Sequence, residues 1–599
     1  MNTLASIVVP LVVLGTAQAQ VTQRLSENPG GVEGNGVSFF SEPRNATSTD
    51  GRFAMFAGGA SNLAPGDTNS AFDVLLKDRL LGSTELVSVS TSGTPGNGDS
   101  GLSGMAMSAD GRFVAFASFA SNLVAGDTNN TMDVFLRDRQ NGTTELVSAD
   151  SSGVHGNLLS FEPSITPDGR FVVFTSQATN LVPGDNNGVF DVFVRDTLLG
   201  TTVRASVSAG GVEGNGASWD ADLTPDGRFV VFQSLAANLT AGTFQSSTQI
   251  FLRDMQTGTV ECISLAAPGV GGAASSSHAS ISADGRRVAF SSVAADLVAG
   301  DTNGVQDCFV RDRLLGTTEF VSAALGGGPG NAACGLPQIS ADGRFVAFDS
   351  DASDLVAGDT NMNRDVFVRD LTHATTERVT LDSSGGETDG FARLGSISAD
   401  GRFVSFSSSA TTLVSGDTGS FLDTFLRDRE ATGFASSCEP GSGGIIACPC
   451  ANPPAGAGRG CDNSSSTGGA TLSATGVAYL SSDSLVFTTG GEKPTALSIL
   501  LQGDGIVVGG VAFGQGVRCA GGSLKRLYSK NASAGSITAP DFASGDPSVS
   551  ARSAALGTVI LAGHTYAYLV YYRDPIVLGG CSAASTFNAT QTGVVSWFP

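Results

Sequence analysis

The triplet Asp-Gly-Arg recurs seven times along this chain, and its spacing limits the fold more than any other feature of the sequence. The triplets begin at Asp50, Asp110, Asp168, Asp226, Asp284, Asp342 and Asp400, so the steps are 60 residues once and 58 residues five times. A constant period of this size indicates an array of one repeated structural unit, either an open solenoid or a closed propeller.

Each repeat contains four short segments typical of β-strands and no helical period. In the second repeat, Asp110-Gly111 marks a tight turn, because glycine tolerates positive φ and aspartate bonds its own backbone. The next segment, 113–116 (Phe-Val-Ala-Phe), is apolar on both faces, as expected for a strand buried between stacked sheets. Four strands in 58 residues correspond to one propeller blade.

The last repeat lacks its fourth strand, and the N-terminal part of the chain carries a segment that resembles one. Segment 22–26 (Thr-Gln-Arg-Leu-Ser) is similar to segment 376–380 (Thr-Glu-Arg-Val-Thr), which is the fourth strand of repeat six. We therefore predict that residues 22–26 pair with the strand at 423–428. This pairing would close a ring of seven blades and remove an open sheet edge.

The segment Ser-x-Asp-Gly-Arg-Phe-Val-Ala-Phe, followed by a strand that ends in Arg-Asp, resembles the TolB-type propeller repeat, a relative of WD repeats. The resemblance covers about residues 20–432. It implies a propeller fold but no single function, because the family includes periplasmic interaction propellers and the propellers of some serine peptidases. The α/β domain of TolB and a hydrolase domain are both missing here, so the Tol role is not carried over.

A second domain is expected beyond residue 437, where all six tyrosines and six of the nine cysteines lie. We predict a Cys/Gly/Pro-rich linker over 433–463 and a β-sandwich over 464–599, because short strand-like runs alternate there with turns. The fold class is thus all-β, a seven-bladed β-propeller followed by a small β-sandwich domain. This last part resembles a trailing domain of exported bacterial repeat proteins, with Cys-Pro-Cys, Arg-Cys-Ala-Gly-Gly and Tyr-Arg-Asp-Pro.

The cysteines and tyrosines allow two interpretations each. Cys448, Cys450 and Cys461 fit disulfides or part of a zinc site, and disulfides are expected in an exported protein. The tyrosines of segment 566–572 are expected in a core, with a sugar-stacking platform as the alternative. The propeller cysteines are expected to be buried free thiols: Cys262, Cys308 and Cys334.

Residues 1–19 are predicted to be a signal peptide, since a short apolar run precedes the small residues Ala17-Gln18-Ala19. The mature protein is expected to be periplasmic, cell-surface or extracellular. A net charge of −23 argues against nucleic acid and anionic membranes as partners and is compatible with divalent cations. We therefore expect a protein or glycan ligand and no membrane insertion.

No catalytic residue stands out in the sequence. Segment 98–101 (Gly-Asp-Ser-Gly) matches the nucleophile tetrapeptide of trypsin-like proteases, but the rest of that pattern is absent, so no triad is expected around Ser100. His155, His278 and His373 fall in or beside loops of different repeats without metal spacing. Residues found in every repeat are expected to serve the blade. The triplet arginine and the Asp ending each third strand are therefore predicted to form a structural ion pair.

Loops between the second and third strands are the candidate metal sites, because five of them carry Asp-x-Asn-x-x-x-Asp. Calcium prefers such oxygen ligands, although these loops lack the bidentate Glu of an EF-hand. The alternative is that the first Asp and the Asn cap an Asx turn while the last Asp opens the third strand. The candidate ligands are Asp67, Asn69, Asp73, Asp127, Asn129, Asp133, Asp185, Asn187, Asp191, Asp301, Asn303, Asp307, Asp359, Asn361 and Asp365.

These patterns favour an exported, non-catalytic propeller that binds protein or glycan, so the expectation is that the chain is not an enzyme. No cofactor is indicated apart from calcium. The alternatives are a secreted polysaccharide lyase or glycoside hydrolase with carboxylates at the mouth of the channel, and a calcium-binding surface protein. An enzyme needs several polar side chains that converge on one pocket, whereas a binding protein can present a broad surface.

Overall fold

The computed structural model describes residues 21–599 except for 42–43, 80, 243–246, 383–384, 415, 420, 430–433, 439, 442–444, 457–458, 476–477, 479–482, 484, 562–563, 577, 579–585 and 598–599. The described chain forms two compact units that meet at residues 428 and 429. The predicted signal peptide lies outside the described residues. Within them, no helix combines the length and the apolar character needed to cross a membrane.

The first unit consists of seven four-stranded sheets, here called blades 1 to 7 in chain order. Within a blade, neighbouring strands run antiparallel, as in blade 3, where all three pairings are antiparallel. The first strands of consecutive blades contact one another, so these strands line the centre of the ring. The predicted seven-bladed β-propeller is confirmed.

Corresponding strands have similar lengths in all blades. The first strands are Ser38–Phe39, Ser100–Met107, Ser160–Ile165, Ser218–Leu223, Ser276–Ile281, Cys334–Ile339 and Ala392–Ile397. The second strands are Phe53–Gly58, Phe113–Ser118, Phe171–Ser176, Phe229–Ser234, Arg287–Ser292, Phe345–Ser350 and Phe403–Ser408. The third strands are Asp73–Asp78, Asp133–Asp138, Asp191–Asp196, Gln249–Asp254, Asp307–Asp312, Asp365–Asp370 and Asp423–Asp428. The fourth strands are Ser83–Leu86, Thr143–Leu146, Thr201–Arg204, Val260–Cys262, Thr317–Phe320, Thr375–Arg378 and, for blade 7, Val21–Arg24. A short hairpin, Leu265–Ala267 with Val270–Gly271, follows blade 4.

The N-terminal segment completes blade 7, as predicted. Val21–Arg24 lies beside the third strand of that blade, and the Leu25 amide donates a hydrogen bond to the Thr424 carbonyl at 2.7 Å. The Ser26 hydroxyl donates to Asp423 Oδ1 at 2.5 Å, across 397 positions of sequence. These contacts close the ring between its first and last blades.

The Asp-Gly-Arg turn is held by its own side chains and by an ion pair. In blade 2, Asp110 Oδ1 accepts hydrogen bonds from the Ser108 hydroxyl at 2.7 Å and the Arg112 amide at 2.9 Å. Arg112 also pairs with Asp138 at 2.7 Å. The predicted ion pair is confirmed in every blade: Arg52–Asp78, Arg112–Asp138, Arg170–Asp196, Arg228–Asp254, Arg286–Asp312, Arg344–Asp370 and Arg402–Asp428.

The propeller core lies between consecutive blades. Val172 and Val173 are successive residues of one second strand and face opposite ways, and both are fully buried. The Phe174 ring stacks on Phe193 of the third strand, with centroids 5.8 Å apart. The cluster that contains these two rings also includes Val134 and Leu136 of blade 2. The apolar character of both faces of the second strand is thereby explained.

The second unit contains two main sheets. One has the strand order Phe434–Cys438, Thr592–Ser596, Thr565–Arg573, Leu497–Gly503 and Lys525–Asn531, with Phe587–Ala589 paired to Thr565–Arg573. The other has Thr471–Thr475, Val486–Gly490 and Thr538–Ala539, and Gly505–Phe513 forms a hairpin with Gly516–Gly521. A helix, Val549–Ala555, and a 3-10 turn, Phe542–Ser544, complete the unit.

A core between the two main sheets makes the second unit a sandwich, as predicted. Phe487 of the smaller sheet packs on Tyr568 of the larger one, with ring centroids 4.6 Å apart. Tyr566, Tyr568 and Tyr572 are all buried, so they are core residues and not a sugar-stacking platform. Strand Phe434–Cys438 lies within the segment predicted as a linker. It pairs with residues more than 150 positions away, and the sequence gives no local sign of that pairing.

The cysteines correct one expectation and confirm another. Cys308 and Cys334 form a disulfide between the third strand of blade 5 and the first strand of blade 6, so the prediction of buried free thiols is wrong for both. Their Cα atoms lie 6.0 Å apart because stacked blades bring these two strands together. Cys262 is buried and free, as predicted. Cys448 and Cys461 form a disulfide, which confirms the preferred interpretation over zinc.

Candidate functional site

The centre of the propeller is a narrow cavity lined by residues of all seven blades, in or just after the first strands. Its walls are mostly small and aliphatic, with Asp222 and Gln338 among the polar exceptions. The cavity measures about 90 Å³, which is room for about three water molecules. A sugar ring or a peptide side chain is too large for it, so a ligand would meet the propeller at the mouth of the channel.

A bulge interrupts the first strand at the same position in most blades. In blades 3, 4 and 5 the pairing with the second strand shifts between Phe161 and Ser164, between Trp219 and Asp222, and between Ser277 and Ser280. One residue of each bulge adopts a left-handed backbone. These residues are Glu162 (φ 52°), Asp220 (φ 51°), His278 (φ 54°) and, in blade 6, Leu336 (φ 49°).

The bulge repeats, but the side chain placed on it does not. Blade 2 has Gly104 at this position, and blades 3 to 6 have Glu162, Asp220, His278 and Leu336 at steps of 58 residues. A left-handed backbone costs about 1–3 kcal/mol for a residue other than glycine, and such residues cluster at functional sites. Three different ionisable groups on three consecutive blades therefore mark this mouth as the candidate site.

Asp220 is the best-placed carboxylate of the site. It is 5% exposed, and its Oδ1 lies 2.5 Å from Arg44 Nη2 of blade 1, on the other side of the channel. Arg44 Nη1 donates a hydrogen bond to the Ala279 carbonyl at 2.9 Å, which fixes the guanidinium. Asp220 Oδ2 is buried and accepts no hydrogen bond from the described residues. The carboxylate thus has one buried oxygen without a hydrogen-bond donor among the described residues.

Glu162 and His278 flank Asp220. One Glu162 oxygen accepts hydrogen bonds from the Asp220 amide at 2.9 Å and the Thr175 hydroxyl at 3.2 Å, so Glu162 holds the strained backbone of its neighbour. His278 Nδ1 lies 3.4 Å from the Ser291 hydroxyl. His278 shares a small cavity with Arg44, Asp220 and Gln338. Both flanking residues are partly exposed.

Sequence reasoning missed these three residues although their signal was present. His278 was expected in or beside a loop, but it lies in the first strand of blade 5. A comparison of positions 104, 162, 220, 278 and 336 across the repeats would have shown charged side chains in three consecutive blades.

The structure places the other histidines and Ser100 away from this site. Ser100 Oγ is buried and lies 2.8 Å from Ser118 Oγ, within blade 2. His373 lies at the outer end of blade 6 and pairs with Asp370 at 2.8 Å. His155 lies beside the loop of blade 2, where burial raises the pKa of Asp127 and His155 partly offsets that effect.

The fifteen candidate metal ligands form the predicted Asx turns. In blade 1, Asn69 Oδ1 accepts a hydrogen bond from the Ala71 amide at 3.0 Å, and Asn69 Nδ2 donates to Asp73 at 3.2 Å. Equivalent bonds from the Asn amide group to the last Asp occur in the other four loops: Asn129–Asp133, Asn187–Asp191, Asn303–Asp307 and Asn361–Asp365. The Asn side chains therefore turn their amide nitrogens, and not their oxygens, toward the acidic groups.

Burial sets the charge of the last Asp in these loops. It raises the pKa of Asp73, Asp133 and Asp307 to about 6 in blades 1, 2 and 5. A serine from the fourth-strand side donates to each of these carboxylates, as Ser88 does to Asp73 at 2.5 Å. These three carboxyl groups therefore ionise near pH 6, which is well above the ordinary pKa of an aspartate.

No family model matches the chain, and no curated protein matches it. Among solved structures, an oligogalacturonate lyase in complex with manganese is 13% identical, covering 69% of this chain and 94% of its own, with a TM-score of 0.43. TolB from Agrobacterium tumefaciens is 17% identical, covering 48% and 87%, with a TM-score of 0.30. The β-propeller domain of the Trilobed protease from Pyrococcus furiosus is 9% identical, covering 65% and 95%, with a TM-score of 0.40.

These likenesses concern the fold, and they agree with the predicted TolB-type propeller. They also correct the functional expectation. Several of the similar structures are of enzymes, since a prolyl endopeptidase and acylaminoacyl peptidases accompany the lyase. The interpretation of the chain as a non-catalytic binding propeller is therefore withdrawn. The resemblance of the C-terminal domain to other trailing domains stays a prediction.

Proposed function

We propose that this protein is an exported polysaccharide-cleaving enzyme whose acid–base chemistry takes place at one mouth of the propeller channel. One observation carries the proposal. Three ionisable residues, Glu162, Asp220 and His278, occupy the same strained bulge position on consecutive blades, where the repeat itself requires no charge. A polymer can lie across this mouth, whereas the channel behind it admits only water.

Asp220 would act as the base and His278 as the acid. Asp220 Oδ2 is buried without a hydrogen-bond donor among the described residues, so an incoming proton has an acceptor there. His278 lines the same small cavity and can protonate a leaving oxygen. Glu162 would be a positioning residue, because it binds the Asp220 amide. Arg44 would place positive charge beside a uronate carboxylate.

This arrangement favours elimination over hydrolysis. A glycoside hydrolase needs two carboxyl groups that both act on the glycosidic bond. Here one Glu162 oxygen already accepts two hydrogen bonds from protein groups, which leaves Asp220 as the carboxylate available for chemistry. A single base with a neighbouring acid suffices to remove the proton next to a uronate carboxylate and expel the leaving oxygen. The proposed substrate class is therefore a uronate-containing polysaccharide.

The test measures cleavage of polygalacturonate, alginate and a neutral xylan by the mature chain and its variants. Elimination produces an unsaturated uronate that absorbs in the ultraviolet, whereas hydrolysis produces only new reducing ends. Asp220→Asn and His278→Gln are each expected to lower kcat by about 10²-fold or more, the usual contribution of acid–base groups. His373→Gln is the matched control, because His373 is 63% exposed on the outer side of blade 6 and is expected to leave the rate unchanged.

Each result has a defined meaning once melting curves show that the variants are folded. Full activity in Asp220→Asn would refute the assignment of the base. Reducing ends without ultraviolet absorption would replace elimination by hydrolysis at the same site. Cleavage of none of the three polymers would refute the proposed substrate class.

A further inference from the structure

Two positions of the blade vary together, and they surround the Asp-x-Asn-x-x-x-Asp loop. One is the last residue of the fourth strand, and the other lies nine residues later. The pairs in blades 3, 6 and 7 are Arg204 with Glu213, Arg378 with Glu387 and Arg24 with Glu33. The pairs in blades 1, 2, 4 and 5 are Leu86 with Pro95, Leu146 with His155, Cys262 with Gly271 and Phe320 with Pro329. Arginine thus occurs only together with glutamate.

The arginine fills the space between the two acidic ends of the loop. In blade 3, Arg204 Nη1 lies 3.4 Å from Asp185 Oδ1 and 3.2 Å from Asp191 Oδ2. In blade 6, Arg378 Nη1 makes the corresponding contacts at 3.2 and 3.5 Å. In both blades a cationic nitrogen therefore bridges the first and last carboxylates of the loop.

The same two oxygens remain without a cation in blade 1, where Leu86 replaces the arginine. Asp73 is completely buried, and its Oδ2 accepts no hydrogen bond from the described residues. Asp67 Oδ1 is likewise buried and without a donor. Asp67 and Asp73 correspond in sequence to Asp185 and Asp191 of blade 3, which one arginine nitrogen bridges. Burying such groups without a partner is unfavourable.

Blades 2 and 5 have Leu146 and Phe320 in place of the arginine, and there both oxygens of the last Asp already accept hydrogen bonds from an Asn and a Ser. Asp127 is 8% exposed, and its Oδ1 is buried with no donor in the described part of the chain. Asp301 Oδ1 in blade 5 is in the same situation. An oxygen of the first Asp without a hydrogen-bond donor is therefore common to blades 1, 2 and 5, and in blade 2 His155 lies beside that carboxylate.

Blade 4 shows what the repeat does when no cation is needed. Gln249 replaces the last Asp, and the first Asp is also absent. The Gln249 carbonyl accepts a hydrogen bond from Ser264 at 2.7 Å, and its amide nitrogen donates to the Gly272 carbonyl at 3.1 Å. This side chain is neutral and has partners for both of its polar ends.

We propose that the loops of blades 1, 2 and 5 each bind one calcium ion at the place that arginine occupies in blades 3, 6 and 7. The two Asp carboxylates of each loop are the protein ligands, and water completes the shell of six to eight oxygens that calcium needs. The Asn side chain is not a ligand, because its amide nitrogen faces the carboxylate. With two carboxylates each, the sites belong to the weak range of extracellular modules, with Kd about 10⁻⁴–10⁻³ M.

Equilibrium dialysis of the chelator-treated mature chain against calcium, at about pH 7.5 where an ordinary histidine is neutral, tests the number of sites. Three ions per chain are expected. Leu86→Arg should reduce the number to two, because the new guanidinium imitates Arg204, and Leu86→Met is the matched control that should keep three. Asp73→Asn, which removes one ligand of the same site, should also leave two.

The melting temperature provides an independent measurement, since an ion that binds only the folded state must raise it. Calcium is expected to stabilise the wild type and the methionine control more than Leu86→Arg. The proposal is overturned if millimolar calcium does not bind, or if Leu86→Arg still binds three ions. It is also overturned if a blade 3 change, Arg204→Lys, alters the number of ions.

Discussion

A single methyl group at Gly169 tests how the blades are stacked. Gly169 belongs to the third Asp-Gly-Arg turn, its φ is 77°, and an added Cβ would lie 2.3 Å from Phe113 Cδ2 of the preceding blade. Gly343 is the same turn residue in blade 6, with a φ of 70°. There an added Cβ would lie 3.3 Å from Arg287 Cδ, because blade 5 carries arginine where the other six blades carry phenylalanine.

The two alanine substitutions share one cost and differ in the other. Both place an L-residue in a left-handed backbone, which costs about 1–2 kcal/mol. Gly169→Ala also forces the Phe113 ring and the facing turn apart, and overpacking of this kind costs about 1–3 kcal/mol. At Gly343 the neighbour is a flexible arginine stem that can move. We therefore expect Gly169→Ala to lower the free energy of unfolding by about 2–5 kcal/mol and Gly343→Ala by about 1–2 kcal/mol.

The assay is urea unfolding followed by circular dichroism, with the midpoints of both variants compared at equal slope. The double variant Gly169→Ala/Phe113→Ala should lose less free energy of unfolding than the two single variants added together, because the ring that clashes with the new methyl group is gone. Equal losses for Gly169→Ala and Gly343→Ala would refute the explanation. They would mean that the turn glycine is required only for its backbone angle.

Three further predictions concern the propeller. The Arg112 guanidinium lowers the pKa of the Asp138 carboxyl. The ionised Asp138 therefore stabilises the fold above the ordinary pKa of an aspartate, and this stabilisation is lost as the pH falls through the lower pKa of the folded protein. The melting temperatures of the wild type and Asp138→Asn should then converge in acid. Reduction of the disulfide at Cys308, which closes a loop of 26 residues, should cost about 3 kcal/mol and lower the melting temperature; an unchanged curve in reductant would contradict the bond. Ser26→Ala should cost about 1–3 kcal/mol in urea unfolding, since it leaves the buried Asp423 without its donor; Ser92→Ala, at an exposed turn, should cost little.

Period and turn chemistry were sufficient to predict the propeller, because each 58-residue repeat contains its own four strands and its own Asp-Gly turn. The closing strand was predictable for the same reason, since segment 22–26 is a displaced copy of a fourth strand. The Cys308–Cys334 bond was not predicted, because it joins adjacent blades and no single repeat contains both partners. The strand Phe434–Cys438 was missed because its partner lies far away in the sequence.

The candidate site was harder to predict than the fold, because the residue type at the bulge position differs from blade to blade and forms no repeated motif. Asp220 and Arg44 are 176 positions apart, and only the closed ring brings them to 2.5 Å. The left-handed backbone at Asp220 is likewise invisible in the sequence, since the bulge arises from pairing with the second strand. The Asp-x-Asn-x-x-x-Asp loops, in contrast, are easily recognised in the sequence. The role of their carboxylates was not predictable, because it depends on which residue ends the fourth strand of the same blade.

In a ring of similar blades, the residues repeated in every blade and the residues that differ among blades are expected to have different roles. An interaction that occurs in every blade, such as the Arg112–Asp138 pair, can weaken in one copy while six others remain. A position that differs among blades carries no such shared duty, so it can acquire a base, an acid or a cation site without altering the blade. Substituting Asp220 should therefore lower the activity, and it should also lower the melting temperature because Arg44 loses its ionic partner, whereas substituting Asp138 should lower the melting temperature and leave the activity unchanged. The two residues lie in the same protein and are both aspartates less than 10% exposed, so burial alone would predict the same outcome for both.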